Sequence, residues 1–190
     1  MLELVDDDFN VADLAASVCH VILAFTYEDW DAAKNSLPII RKYQSDLDGY
    51  FTIGISLTFA ASCHYELYYA DGIRKHKREG RRAHRKINKW ATTGTEMLVG
   101  PNSFLRAMEC LCVKRAPLHQ VEIMFEKAAS ACAARRCRLL EALSNERLAR
   151  LFRSEEPNVK CEKYLNRAVG LYKSWGAIAK AKWLEEQYAS

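Results

Sequence analysis

The sequence predicts an all-α chain built from helical hairpins, and three observations carry that expectation. Hydrophobic residues fill 49% of 190 positions and recur at three- and four-residue steps, as in helices with one buried stripe. Only 8 Gly and 4 Pro are present, too few for the regular turn signals a β-sandwich or barrel needs. Charged residues make up 27%, a balance that allows a buried core and excludes wholesale disorder.

The first helix is expected from Phe9 to Phe25, where Val11, Leu14, Ala15, Val18, Ile22 and Phe25 share a face. Glu28-Asp29-Trp30-Asp31 interrupts that stripe, and a second helix follows from Ala32 to about Tyr43, completing a hairpin. A third, from about Tyr50 to Ala70, is apolar around most of its circumference, as a central helix is. Asp71-Gly72 ends or kinks it before the basic stretch Arg74 to Lys89, which closes with Trp90-Ala91.

Thr92 to Pro101, with Gly94 and Gly100, is the expected break, a sub-boundary near 92–101 within one helical-repeat domain spanning 1–190. Periodicity resumes over Ser103–Val113, Leu118–Ala134 and Leu139–Phe152. Pro117 and Pro157 fall where a first helical turn tolerates proline, and Ser154-Glu155-Glu156 reads as a cap region. The last two helices run from about Asn158 to Trp175 and from Ala177 to Tyr188 around Gly176, for about eight to nine helices in all.

Hairpins in series point to a repeat array. In the tetratricopeptide frame, a large and a small residue on one helix are followed by small, large and small positions on the next. Leu148, Ala149 and Phe152, then Cys161, Leu165 and Ala168, fit that frame. Met108, Glu109 and Cys112, then Val121, Phe125 and Ala128, fit it with one polar exception. Val21 and Ala24 with Ala33, Leu37 and Ile40 fit as well, and Ala83, Ile87 and Trp90 supply the second-helix triplet of the basic segment. Short side chains let two helices approach closely, and the large ones fill the seam between hairpins. Residues 40, 90, 128 and 168 are spaced more widely than a strict 34-residue repeat. The expectation is therefore a degenerate tetratricopeptide-like array, a right-handed superhelix of about four hairpins and a terminal helix.

Three stretches go beyond generic helix chemistry: Asn145-Glu146 with Ala149 and Phe152; Tyr164-Leu165, Ala168, Tyr172, Trp175-Gly176-Ala177, Lys180 and Leu184-Glu185; and Arg82, Lys86 and Trp90-Ala91. In this order and spacing the chain resembles the C-terminal helical-repeat region of large signalling ATPases. In that family a kinase-like segment, a predicted AAA-type ATPase and often a sensor histidine kinase share one chain. The resemblance implies a sensing or docking surface, or a regulatory segment of a larger ATPase or kinase assembly. It implies no catalysis here: the sequence has no GxxxxGK[ST] phosphate loop and no HRD or DFG pair.

Arg74, Lys75, Lys77, Arg78, Arg81, Arg82, Arg85, Lys86 and Lys89 face only Glu79 within their stretch, which therefore carries +8; with the whole chain at +4, the remainder carries −4. A solvated helix face is the first reading of this stretch, an anionic protein or membrane surface the second and nucleic acid the third. Only Trp90 stands nearby as an aromatic, so base-stacking interleaving is missing. The tetratricopeptide frame turns Glu146, Arg150 and Arg153, and likewise Arg106, Cys110 and Val113, toward a concave face. A partly basic face of that kind suits an acidic peptide or a carboxylate terminus.

The 7 cysteines are odd in number and mostly lie among apolar residues, which is free-thiol usage of a reducing, cytoplasmic compartment. Cys110-x-Cys112 with His119, Cys19-His20, Cys63-His64 and Cys132-x4-Cys137 lack paired zinc-site spacing, so no metal or other cofactor is expected. Arg135 and Arg136 between Cys132 and Cys137 can lower a thiol pKa, which admits redox sensing there, although inert packing is the first reading. Acidic Asp6-Asp7-Asp8 does not fit a signal peptide, and the low-charge runs Leu14–Phe25 and Phe51–Cys63 are shorter than the roughly 18 residues a membrane span needs. No residue pattern nominates a catalytic site. The expected function is a non-enzymatic protein–protein interaction scaffold or adaptor in signalling or complex assembly, with anionic-surface or nucleic-acid binding through 74–89 as a further alternative.

Overall fold

The computed structural model describes residues 11–43, 51–153 and 159–189. Every α or 3-10 element among them is a helix: α1 (Val11–Tyr27), α2 (Trp30–Tyr43), α3 (Phe51–Asp71), α4 (Arg74–Thr92), a 3-10 turn (Glu96–Leu98), α5 (Val99–Cys112), α6 (Leu118–Ala133), α7 (Arg138–Leu151), α8 (Val159–Trp175) and α9 (Ile178–Tyr188). None of these helices is long and apolar enough to cross a membrane. The expected helix starts Phe9, Tyr50 and Asn158, and the expected cap region Ser154–Pro157, lie outside the described residues.

Consecutive helices pack as pairs, α1 with α2, α3 with α4, α5 with α6 and α7 with α8, while α9 packs on α8. Contacts of α3 with α1 and α5, and of α6 with α7, join the pairs. One hydrophobic cluster runs from Leu14 to Tyr164, and a smaller one of Ala142, Ala168, Val169, Tyr172, Ala181 and Leu184 lies beneath α9. Phe25 is at the junction, edge-on to Trp30, Phe59 and Phe104. Such aromatic contacts add about 0.5–1.5 kcal/mol each to the area they bury. Most of the positions read as repeat seams are buried, among them Val21, Ala33, Leu37, Ile40, Ile87, Phe125, Ala128, Cys161 and Ala168.

Four helices stop by the same device. One to three residues past the helix the chain turns left-handed, at Glu28 (φ 63°), Gly94 (φ 109°), Arg136 (φ 56°) and Gly176 (φ 87°). The next N–H then reaches back across the turn: Asp29 to the Ala24 carbonyl, Thr95 to Trp90, Cys137 to Cys132 and Ala177 to Tyr172, at 2.9 to 3.0 Å. This is the Schellman motif, which satisfies orphan carbonyls at a helix end. Glycine adopts that backbone without strain; Glu28 and Arg136 do not have that freedom.

The expected break at 92–101 is narrower in the structure. Gly100 and Pro101 lie in the first turn of α5, which starts at Val99 instead of Ser103. Proline fits there because first-turn N–H groups have no partner inside the helix. Gly100 permits the approach of α6, since a Cβ on it would meet the Cys132 sulfur at 3.1 Å.

Candidate anion-binding groove

α4 is amphipathic because its charges are interrupted at helical spacing by Glu79, Gly80, Ala83, His84 and Ile87, all buried. Gly80 sets how near it lies to α3: a Cβ there would fall 2.8 Å from the Tyr65 ring. This approach brings the Tyr65 hydroxyl within 3.0 Å of His84 Nδ1, in a buried polar chain under the basic face.

The chain continues into α5. Asn102 Nδ2 donates to Asn88 Oδ1 at 3.1 Å, which leaves the Asn102 carbonyl oxygen 3.3 Å from His84 Nε2. With Asn102 so oriented, His84 Nε2 carries hydrogen. Nδ1 also faces Glu109 Oε2 at 3.5 Å, and the other carboxylate oxygen accepts from Arg81 Nε at 2.7 Å. His84, and with it Arg81, holds the Glu109 carboxyl down to about 2. Arg106 donates to Asn88 Oδ1 at 2.9 Å, so that this network also orients a groove cation.

Above the network lies an open groove of about 930 Å³ between α4 and α5, reaching Tyr68 of α3 and Met124 of α6. Arg74, Lys77, Arg78, Arg81, Arg85, Arg106 and Lys114 line it, and Glu109 is the single carboxylate on its wall. Glu109 is already paired with Arg81, while among the described residues Arg74, Arg85 and Lys114 have no acidic partner. A cleft walled by one sign of charge focuses potential and collects the opposite sign.

The basic residues of 74–89 do not form one patch. Five of them, Arg74, Lys77, Arg78, Arg81 and Arg85, face this groove. Lys75 belongs to a second cavity of about 430 Å³ with Lys34, Arg41, Lys42, His64 and His76, and Arg82 faces α2 and α3. In that second cavity His64 Nδ1 and His76 Nδ1 are 3.1 Å apart, and burial, helped by His76, lowers His64 to about 4. Lys86 is half-buried and Lys89 exposed.

The concave-face residues read from the repeat frame separate as well. Arg106 is exposed and lines the groove. Cys110 and Glu146 are buried at 2% exposure, which corrects their expected place on an open face. Glu146 lies under α8 and α9, where its carboxylate accepts from Tyr172 Oη at 2.7 Å, Lys180 Nζ at 3.0 Å and Arg150 at 3.2 Å. Arg150 also pairs with Glu28, and Arg147 bridges Glu28 at 3.4 Å and Glu66 at 2.8 Å. Three carboxylates and three cations therefore balance inside the molecule, a structural use of charge rather than an offered one. Arg153 is exposed, but its guanidinium donates to the Gln187 carbonyl at 2.8 Å and lies over the Tyr188 ring.

Sequence reasoning singled out Arg106 and the basic stretch separately and missed Lys114, Glu109 as its counter-ion, and the His84, Asn88 and Asn102 scaffold. The one available signal for that scaffold was polar side chains at the buried spacing of α4 and α5. Among the described residues no group of three or more His, Cys, Asp or Glu could hold a metal ion. Comparison of the chain with protein-family models, curated proteins and solved structures finds no match.

Proposed function

We propose that this chain is a non-enzymatic interaction scaffold of the tetratricopeptide-like kind, and that it holds an acidic segment of a protein partner in the groove between α4 and α5. The single observation behind this reading is the charge of the groove: seven cations against one carboxylate, with Arg74, Arg85 and Lys114 lacking an acidic partner among the described residues. Arginine forks suit carboxylates arranged along a peptide, and Tyr68 and Met124 add apolar wall between the charges. The resemblance of the Asn145–Glu185 stretch to the helical region of signalling ATPases supports a narrower form of the proposal, in which that partner is an ATPase or kinase.

The test is a fluorescence-anisotropy titration of the full chain with a labelled peptide rich in Asp and Glu. The double variant Arg85→Glu/Lys114→Glu, whose changes lie outside the buried network, is expected to weaken binding by tenfold or more. Equal binding by the variant would sink the assignment of this groove. Tighter binding of a single-stranded oligonucleotide than of the peptide, with a steep salt dependence, would replace the protein-partner reading by the nucleic-acid one. Recovery of an ATPase or kinase as a stoichiometric partner in pull-downs would support the regulatory form.

A further inference from the structure

The turn between α6 and α7 holds two cysteines in an arrangement that its backbone imposes. Cys132 is the next-to-last residue of α6, and Cys137 directly follows the left-handed Arg136. Cys137 N–H donates to the Cys132 carbonyl at 2.9 Å, and Arg136 N–H donates to the Ala133 carbonyl at 3.1 Å, the paired bonds of a Schellman motif. A side-chain contact between these two positions frequently accompanies that motif. Here both of those positions, ordinarily apolar, carry free cysteines.

The two sulfurs have different surroundings. Cys132 is fully buried, wedged beneath Gly100 of α5, whereas Cys137 is half-buried at the N-terminus of α7. Cys137 also borders a cavity of about 290 Å³ whose wall includes Phe59, Met97 and Trp175. The geometry points to a peroxide-reactive dithiol, with Cys137 as the attacking sulfur that hydroperoxides reach through this cavity and Cys132 as the resolving sulfur.

The chemistry balances with a hydroperoxide as oxidant. The Cys137 thiolate attacks the peroxide oxygen, the O–O bond breaks, hydroxide leaves and a sulfenic acid remains. Cys132 sulfur then attacks that sulfenic sulfur: the S–S bond forms, the S–O bond breaks, and water departs with the thiol proton. The two thiols give up two electrons, and the peroxide takes them. Hydrogen bonding from Cys132, with the Leu140 backbone N–H in the first turn of α7, holds Cys137 down to about 7. The intervening arginines are not the main cause, since Arg135 is turned to the Glu96 and Ala131 carbonyls.

The full chain treated with equimolar hydrogen peroxide and then digested with trypsin decides the matter. Cleavage after Arg135 and Arg136 separates the two cysteines in the reduced chain. Oxidation as inferred instead yields residues 128–135 disulfide-linked to residues 137–138 within one chain. Oxidation confined to exposed Cys19, or linkage only between chains, overturns the inference. In Cys132→Ser, Cys137 is expected to stop at a sulfenic acid trapped by a 1,3-diketone. In Cys132→Ala, which removes the donor, alkylation of Cys137 by iodoacetamide at pH 7 is expected to slow about tenfold or more as thiolate is lost. Alkylation at the unaltered rate would remove the role assigned to Cys132. Should these variants fail to fold, the disulfide map of the unaltered chain decides alone.

Discussion

Lys180 Nζ lies 3.0 Å from Glu146 Oε1, with the two side chains only 2% and 3% exposed. The pair joins α9 to α7, and Lys180 also donates to the Thr26 carbonyl at the end of α1 at 2.6 Å. Tyr172 from α8 completes the junction. One carboxylate acceptor on α7 thus serves donors from the two helices that follow it.

Removing Lys180 takes one charged donor from a carboxylate that stays buried with Arg150 and the Tyr172 hydroxyl. Lys180→Met is expected to destabilise the chain by about 1.5–3 kcal/mol. Adding Glu146→Gln should recover part of that loss, although Arg150 and Tyr172 then lose a charged acceptor. Urea unfolding midpoints of the two single variants and the double variant measure it. Strict additivity would show that the pair is not coupled.

Acid should weaken the fold in two windows. His64 is lowered to about 4 from 6.5, so between those values the unfolded chain binds the extra proton, and stability present above pH 6.5 is lost as pH falls through the folded value. Glu109 is lowered to about 2 from 4.5, so its contribution is present above pH 4.5 and disappears as pH falls toward 2. Thermal melting against pH is expected to flatten in the upper window for His64→Gln and in the lower window for Glu109→Gln. Parallel curves for variant and parent would contradict the assignment.

Among the non-glycine residues with left-handed backbone, Glu28 and Arg136 should respond oppositely to glycine. Arg136 is exposed, and Arg136→Gly is expected to raise stability by about 1 kcal/mol through relief of the backbone. Glu28→Gly relieves the same strain but strips Arg147 and Arg150 of an ion-pair partner, with a net loss of about 1–3 kcal/mol. Chemical denaturation of both variants checks the contrast; a stabilised Glu28→Gly would mean that the ion pairs contribute little.

Much of the helix plan was legible because apolar residues at three- and four-residue steps need only local geometry to be interpreted. Leu148, Ala149 and Phe152, or Val121, Phe125 and Ala128, are buried where that spacing puts them. The start of α5 was misread, because Gly100 and Pro101 signal a break unless it is known that Cys132 of α6 packs against the glycine. Glu146 was misread for a related reason: a charged residue at an outward-counting position looks solvated until α8 and α9 are laid over it.

The amino-acid order by itself determined that this is a helical chain with hairpin spacing and one intensely basic segment, since periodicity and charge are properties of neighbours along the chain. Only tertiary packing decided which charges meet. It divided the basic segment between two cavities, brought Arg106 and Lys114 to five of its residues, sank Glu146 and Lys180 together, and turned Cys132 toward Cys137 through a left-handed residue. Electrostatic and sulfur chemistry act over a few ångströms of space, and separation in sequence does not set that distance.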